Sequence, residues 1–338
     1  MMENERIKTG DPLIVYCYRQ ISDPMVFSDL LKKRFRQTGH AREIEFRFWD
    51  CYKQLPGQDG DLYIFDGMVL SALADKGYIR RLPDIIDTSS VFEWVLNGSK
   101  VNQQIFGFPF MLCTDVLISK KGTQTPLWSL SEGEIAAPMK SMIGEYYIFA
   151  YFNSSGREEK SLEILKRLAK LIGGSSEYER SRFSEYDGIR RFIRGDCKYL
   201  LGFTEDLRYL PRDEYVVRFA NISDSASVEL PFYYVNYISV GTRPEKERLL
   251  DCLDLIEIIT ERSFFMDYCT GDGLIRYLLS ADRKPYEELC SISDLYGQLY
   301  AMVSDENNCV LRYGKQFYET FPRKSAELHA MLSGNTGM

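Results

Sequence analysis

The sequence predicts an α/β protein of two lobes. Apolar strand-like runs alternate with helical runs from Pro12 onward, the pattern of a sheet-and-helix protein. No internal repeat, low-complexity stretch or long linker interrupts the alternation. It also never separates into two clean blocks, which suits a chain that crosses between two lobes several times. At 338 residues the chain can bury roughly three quarters of its unfolded surface.

Residues 12–18 (Pro-Leu-Ile-Val-Tyr-Cys-Tyr) read as a buried strand. Asp23-Pro24 starts a helix: aspartate is a favoured cap, proline suits the first turn, and Val26/Phe27, Leu30/Leu31 and Phe35 fall on one face. Gly39 ends it. Residues 43–49 alternate as a half-exposed strand, and residues 62–65 form a short buried strand that delivers Asp66 at its carboxyl end. A helix over about 68–76 closes at Gly77. Two strand-like runs flank Cys113 within residues 104–119. Leu162, Leu165, Leu168 and Ile172 mark an amphipathic helix over 158–172, with Gly173-Gly174 after it. Residues 199–204, 215–220 and 233–240 read as strands. Pro244 opens a long helix to about 262, and residues 285–332 are mainly helical.

Composition narrows the function. Net charge is −7, which argues against a general nucleic-acid binder and its basic footprint. No run of about 18 apolar residues occurs, so no membrane helix is expected. The charged start, Met-Met-Glu-Asn-Glu-Arg, has no apolar segment behind it, so the expectation is a cytoplasmic protein, or a secreted one if a signal was removed. The eight cysteines form no C-x-x-C pair and no zinc spacing, so reduced thiols are expected and no metal. Sequons at Asn97, Asn153 and Asn221 carry meaning only after secretion. Phosphate-loop, dinucleotide, metalloprotease and serine-elbow signatures are absent. The two histidines, His40 and His329, read as solvated surface residues, so any nucleophilic chemistry would use a carboxylate base.

What remains are polar groups at the ends of apolar strands. Cys113 follows Gly107 and Pro109, which break the strand before it; it is either a thiol held at a cleft or one more buried thiol. Glu205 ends Tyr199-Leu-Leu-Gly-Phe-Thr-Glu, where it either projects into a cleft or belongs to a solvated turn or helix cap. Asp66 and Tyr52 are open in the same way.

In order along the chain, these segments resemble thiaminase I. The matching stretches are Ile14-Val-Tyr-Cys-Tyr18 followed by Asp23-Pro24, Trp49-Asp-Cys-Tyr52, and Asp61-Leu-Tyr-Ile-Phe-Asp66. Then come Gly107-Phe-Pro-Phe-Met-Leu-Cys-Thr114, Leu201-Gly-Phe-Thr-Glu205, Phe232-Tyr-Tyr-Val-Asn-Tyr-Ile-Ser-Val240, and Arg276-Tyr-Leu-Leu with Arg283. The resemblance covers about residues 12–320. Each piece is short; their order, and the spacing of 31 between Glu205 and Asn236, make the set specific.

The resemblance implies a two-lobed type II periplasmic-binding-protein-like fold with the ligand cleft between the lobes. The expected division is 12–112 with 237–285 in one lobe and 113–236 with 286–332 in the other. It implies a transferase that displaces the thiazole of thiamine, or of a pyrimidine analogue, and installs a second small nucleophile, working as a monomer without cofactor. Cys113 would form a covalent adduct with the pyrimidine and Glu205 would take the thiol proton. Asp66 would hydrogen-bond the aminopyrimidine, and Tyr16, Tyr52 and, less centrally, Tyr18 would line the pocket. Two departures bear on substrate. Asn236 stands where the resemblance implies a second aspartate, keeping an acceptor but losing the charge. Phe110 and Asp115 replace residues expected beside the cysteine. The competing expectation is a non-catalytic binding protein of the same fold that holds a thiamine-like ligand without turnover and needs neither nucleophile nor base.

Overall fold

The computed structural model describes residues 10–83, 86–123, 125–173, 186–211, 214–223 and 231–332. The charged residues 1–6 and Gly174 lie outside the described residues. The chain opens as β1 (Leu13–Tyr18), α1 (Pro24–Gln37), β2 (Ile44–Trp49) and β3 (Leu62–Asp66). A single 3₁₀ turn leads to α2 (Leu70–Asp75), and α3 (Glu93–Gly98), β4 (Lys100–Val101) and β5 (Gln104–Ile105) follow. The middle comprises β6 (Phe108–Cys113), β7 (Asp115–Lys120), β8 (Ile135–Ala136), α4 (Met139–Asn153) and α5 (Glu158–Ile172). Next are α6 (Asp187–Arg194), β9 (Tyr199–Phe203), β10 (Tyr215–Phe219), β11 (Phe232–Val240), α7 (Lys246–Thr260) and α8 (Arg262–Thr270). The chain closes with β12 (Leu279–Ser280), α9 (Tyr286–Ile292), α10 (Asp294–Val303), β13 (Cys309–Val310) and α11 (Lys315–Leu332).

Two sheets organise the fold. The larger has the order β12-β6-β11-β3-β1-β2, with β13 pairing β11. β1 runs parallel to β2 and β3, whereas β11 is antiparallel to β3 and β6. The smaller has the order β10-β7-β9-β8. Buried strands read as continuous apolar runs: every residue of β3 is buried, and every residue of β6 except Cys113. Helix α5 forms as its spacing predicts, burying Ile164, Leu165, Leu168 and Ile172, and Gly173 at φ 115° ends it.

The chain passes between sheets at two neighbouring points. It leaves β6 at Cys113 and enters β7 at Asp115, so Thr114 alone joins them. It returns ahead of Phe232. The Thr114 hydroxyl donates to the Phe232 carbonyl at 2.8 Å, tying the outward and return passages together. β11 is one continuous strand of the larger sheet. We propose the expected lobe division with two changes: the 236/237 boundary moves back to this return passage, and Cys309–Val310, which pair with β11, go with the larger sheet. The C-terminal helices cross once more: Gln298 of α10 bonds the backbone of β10 along one edge, accepting from Val217 N–H at 2.9 Å and donating to Tyr215 O at 3.3 Å.

Three local expectations change. The Asp23 carboxylate caps nothing; Asp23 adopts φ 42°, and its carboxylate accepts from Arg276 at 2.7 Å and Arg208 at 3.1 Å. The helix opened by Pro244 breaks at Glu261, which has extended backbone, before α8. Pro109 sits inside β6, at a β-bulge that leaves Phe110 as the extra residue opposite Asn236 and Tyr237. Among the described residues no helix is long and apolar enough to cross a membrane.

Candidate active site

The carboxyl ends of β1 and β3, the end of β6 and the turn after β9 converge on one cavity of about 360 Å³. Tyr18, Tyr52, Asp66, Cys113, Glu205 and Asn236 all line it. Ligand sites in open α/β sheets lie beyond strand carboxyl ends, and here two sheets supply such ends to one cleft.

Each group arrives for a local reason. Asp66 closes β3 and caps the following 3₁₀ turn, one oxygen accepting from Met68 N–H at 2.8 Å. Asn236 is its register partner on β11, so amide and carboxyl sit side by side. Tyr234, two residues earlier on the same strand, is the register partner of Cys113 and also lines the cavity. Glu205 lies in the 3₁₀ turn Thr204–Tyr209 after β9. That turn is pinned by the Asp206 carboxylate, which accepts from Phe203 N–H at 2.9 Å. Gly202 makes this possible, because a Cβ there would stand 2.2 Å from the same carboxylate.

The electrostatics suit proton transfer. Burial raises Glu205 to about 7, with Asp206 adding to the effect and Arg208 and a hydrogen bond from the Ser22 hydroxyl opposing it. Burial likewise raises Asp66 to about 7, against the Met68 hydrogen bond. The Cys113 thiol is pushed well above its ordinary value by burial first and then by the nearby Glu205 carboxylate. A thiol and a carboxyl lining one cavity are unfavourable as two anions. Burial, then Asp66, also keeps the Tyr18 and Tyr52 hydroxyls neutral.

Tyr16 does not line this cavity. Its ring stacks on Tyr63 with centroids 5.7 Å apart, its hydroxyl donates to Asp59 at 2.9 Å, and Arg47 covers the ring at 5.8 Å. Tyr16 shares a strand face with Tyr18 but lies roughly 6–7 Å further from the carboxyl edge where the cleft opens. Neither histidine lines the cavity. His40 is half-buried rather than solvated: it stacks on Phe35 at 4.1 Å and bonds Asp251 and Asp254. All eight cysteines are free thiols.

Several lining residues escaped the sequence reading, among them Tyr234, Asp206, Arg208 and one further acid. Glu145 projects from α4 into the same cavity. Its signal was its isolation: it is the only charged residue in Met142–Asn153, a run apolar on every side, and that run conceals the helix as well.

Two sheets joined by short crossovers, with a polar cleft at their facing edges, define the two-lobed periplasmic-binding-protein-like class. The maltose-bound MalE3 of T. maritima shares the fold, with a TM-score of 0.72 at 12% identity over 96% of this chain and 95% of that one. Within the class the chain is similar to thiaminase I along most of its length. It is 24% identical over 343 residues to thiaminase-1 of Paenibacillus thiaminolyticus, covering 90% of this chain and 84% of that protein. The Clostridium botulinum thiaminase I structure in complex with thiamin matches with a TM-score of 0.82 at 18% identity, over 95% of this chain and 99% of the other. Thiaminase I from Bacillus thiaminolyticus matches at 0.79 and 22% identity, over 96% and 100%. No family model matches the sequence.

Proposed function

We propose that this protein is a thiaminase I-like transferase acting on thiamine or a closely related pyrimidine. Cys113 is the nucleophile. Its proton passes to Glu205 as the sulfur forms a bond to a pyrimidine ring carbon, so the pair never carries two charges. The bond between the methylene carbon and the thiazole nitrogen then breaks, and the thiazole leaves neutral with the electron pair. A second small nucleophile, an amine or a thiol, bonds the methylene carbon and gives up its proton, and the cysteine is expelled. Asp66 orients and polarises the aminopyrimidine, with Asn236 beside it and the Tyr18 and Tyr52 rings forming the walls.

The observation that supports this reading is one cavity shared by a thiol and a carboxyl from distant parts of the chain. A receptor that only bound its ligand would need neither. Every group given a role here comes from one chain, which supports a monomer as the working unit.

Intact-protein mass spectrometry tests the reading. With thiamine and no second nucleophile, the protein should gain the mass of the pyrimidinylmethyl group and release thiazole. Cys113→Ser should show neither while keeping its fold. An unmodified wild-type protein that still binds thiamine would instead make this a binding protein.

A further inference from the structure

One acid in the cleft has no part in the mechanism above. Glu145 sits in the second turn of α4, after β8 of the smaller sheet, and lines the same cavity as Cys113, Asp66 and Asn236. An ionisable side chain amid an apolar helix is costly unless something in the cavity uses it.

Its surroundings place it at one end of the cleft. The Tyr234 hydroxyl donates to the Glu145 backbone carbonyl at 3.4 Å, and Tyr234 is the register partner of Cys113. Burial raises the Glu145 carboxyl, a hydrogen bond from its own backbone N–H opposes that and Asp66 adds to it, and both Asp66 and Glu145 act on the Tyr52 hydroxyl. Glu205 has different charged neighbours: Asp206, Arg208 and Asp23. Glu205 and Arg208, on the turn after β9, mark one pole of the cavity. Asp66 and its register partner Asn236 mark a second. Glu145 acts with Asp66 on Tyr52, and with Asp206 on buried Asp115; the Cys113 thiol feels Glu205 and Asp66 both.

The second pole is rich in acceptors. One Asp66 oxygen is already engaged by Met68 N–H. An exocyclic amino group on an aromatic ring presents two N–H donors in the ring plane, pointing apart. Asp66 can meet one of them from the larger sheet. Glu145 reaches the same space from the other side of the cleft.

We infer that Glu145 is a specificity-determining residue that accepts a hydrogen bond from the exocyclic amino group of the bound pyrimidine, opposite Asp66. The inference rests on the transferase reading for the identity of the ligand, and it adds what selects that ligand: an amino-substituted ring gripped by one carboxyl from each side of the cleft.

The test compares wild type with Glu145→Leu, which suits the apolar helix and cannot accept a hydrogen bond. Two readouts are used: kcat/KM for thiamine against its analogue lacking the ring amino group, and calorimetric binding of 4-amino-2-methylpyrimidine and 2-methylpyrimidine in a Cys113→Ser background. The variant should lose about tenfold or more for the amino-bearing member of each pair and under about threefold for the other. Equal losses for both members would make Glu145 a purely structural residue and overturn the inference. An unchanged preference, or no binding of the aminopyrimidine before the Glu145 change, would overturn it too. Failure of the transferase reading is seen separately, as wild type that releases no thiazole; the binding arm still decides Glu145.

Discussion

At residue scale the proposed chemistry depends on proton transfer between two side chains. Cys113 and Glu205 were readable from sequence as strand-end residues, but only the folded chain puts both in one cavity. Their coupling yields a discriminating prediction. If Glu205 acted on Cys113 only as a charge, Glu205→Gln would ease thiolate formation, because the carboxylate is one of the influences that raises the thiol. If Glu205 is the base, losing it removes the proton acceptor. We expect iodoacetamide labelling of Cys113 near pH 7, followed by peptide mapping, to slow about tenfold or more in Glu205→Gln. In wild type the rate should climb through about pH 7, as Glu205 becomes able to accept the proton. Faster labelling in the variant would sink the base assignment. The same scale shows where sequence reading stops. Tyr16 and Tyr18 have the same type and parity, and only depth along β1 separates a ring stacked on Tyr63 from one lining the cleft. Glu145 was hidden because an acid inside an unpatterned apolar run gives no period to read.

At element scale the site depends on how β6 is bent. The bulge at Phe110 lets Cys113 end one sheet while Asp115 begins the other, and the Phe110 carbonyl is still satisfied by Ala281 N–H at 3.2 Å. Gly107 controls the approach. A Cβ there would meet Ser239 Oγ at 2.9 Å and Tyr237 Cβ at 3.0 Å, both on β11. Gly107→Ala should therefore cost about 1–3 kcal/mol in urea unfolding, and it should lower turnover further by shifting the strand that carries Cys113. Native stability in that variant would refute the packing argument. Elements with strong periodicity or terminators, such as α5 before Gly173, were legible within a residue. The cap at Asp23 was misread because local propensity could not see the two arginines, from distant parts of the chain, that claim its carboxylate.

At the scale of the whole molecule, unbroken strand–helix alternation conveyed two lobes, but the crossing points had to come from pairing. Residues 233–240 read as one strand, and β11 pairs with β3 and β6 as one piece, so a lobe boundary at 236/237 would cut through it. Across the cleft, Asp23 accepts from Arg208 of the β9 turn and from Arg276, a buried arginine also held by Asp272. The cleft itself gathers acids whose burial raises them, Asp66, Glu145 and Glu205 each to about 7. Buried Asp115, outside the cleft lining, is also well above its usual range, with neither oxygen hydrogen-bonded. A carboxyl with a native value above its unfolded value of about 4 binds its proton more tightly when folded. Its contribution to stability is full below pH 4 and is lost as pH rises through about 7. The ligand-free protein should therefore lose stability from this cluster between about pH 4.5 and 7.5, a functional cost of keeping acids dry in an empty cleft. Other groups titrate in the same window, so the decisive measurement is a difference. Melting temperatures of wild type and Glu145→Gln across that range should diverge, the variant gaining relative stability as pH rises, because it has no proton to give up. Parallel curves would mean that Glu145 titrates as it does in the unfolded chain, and that the cleft is wetter than its lining suggests.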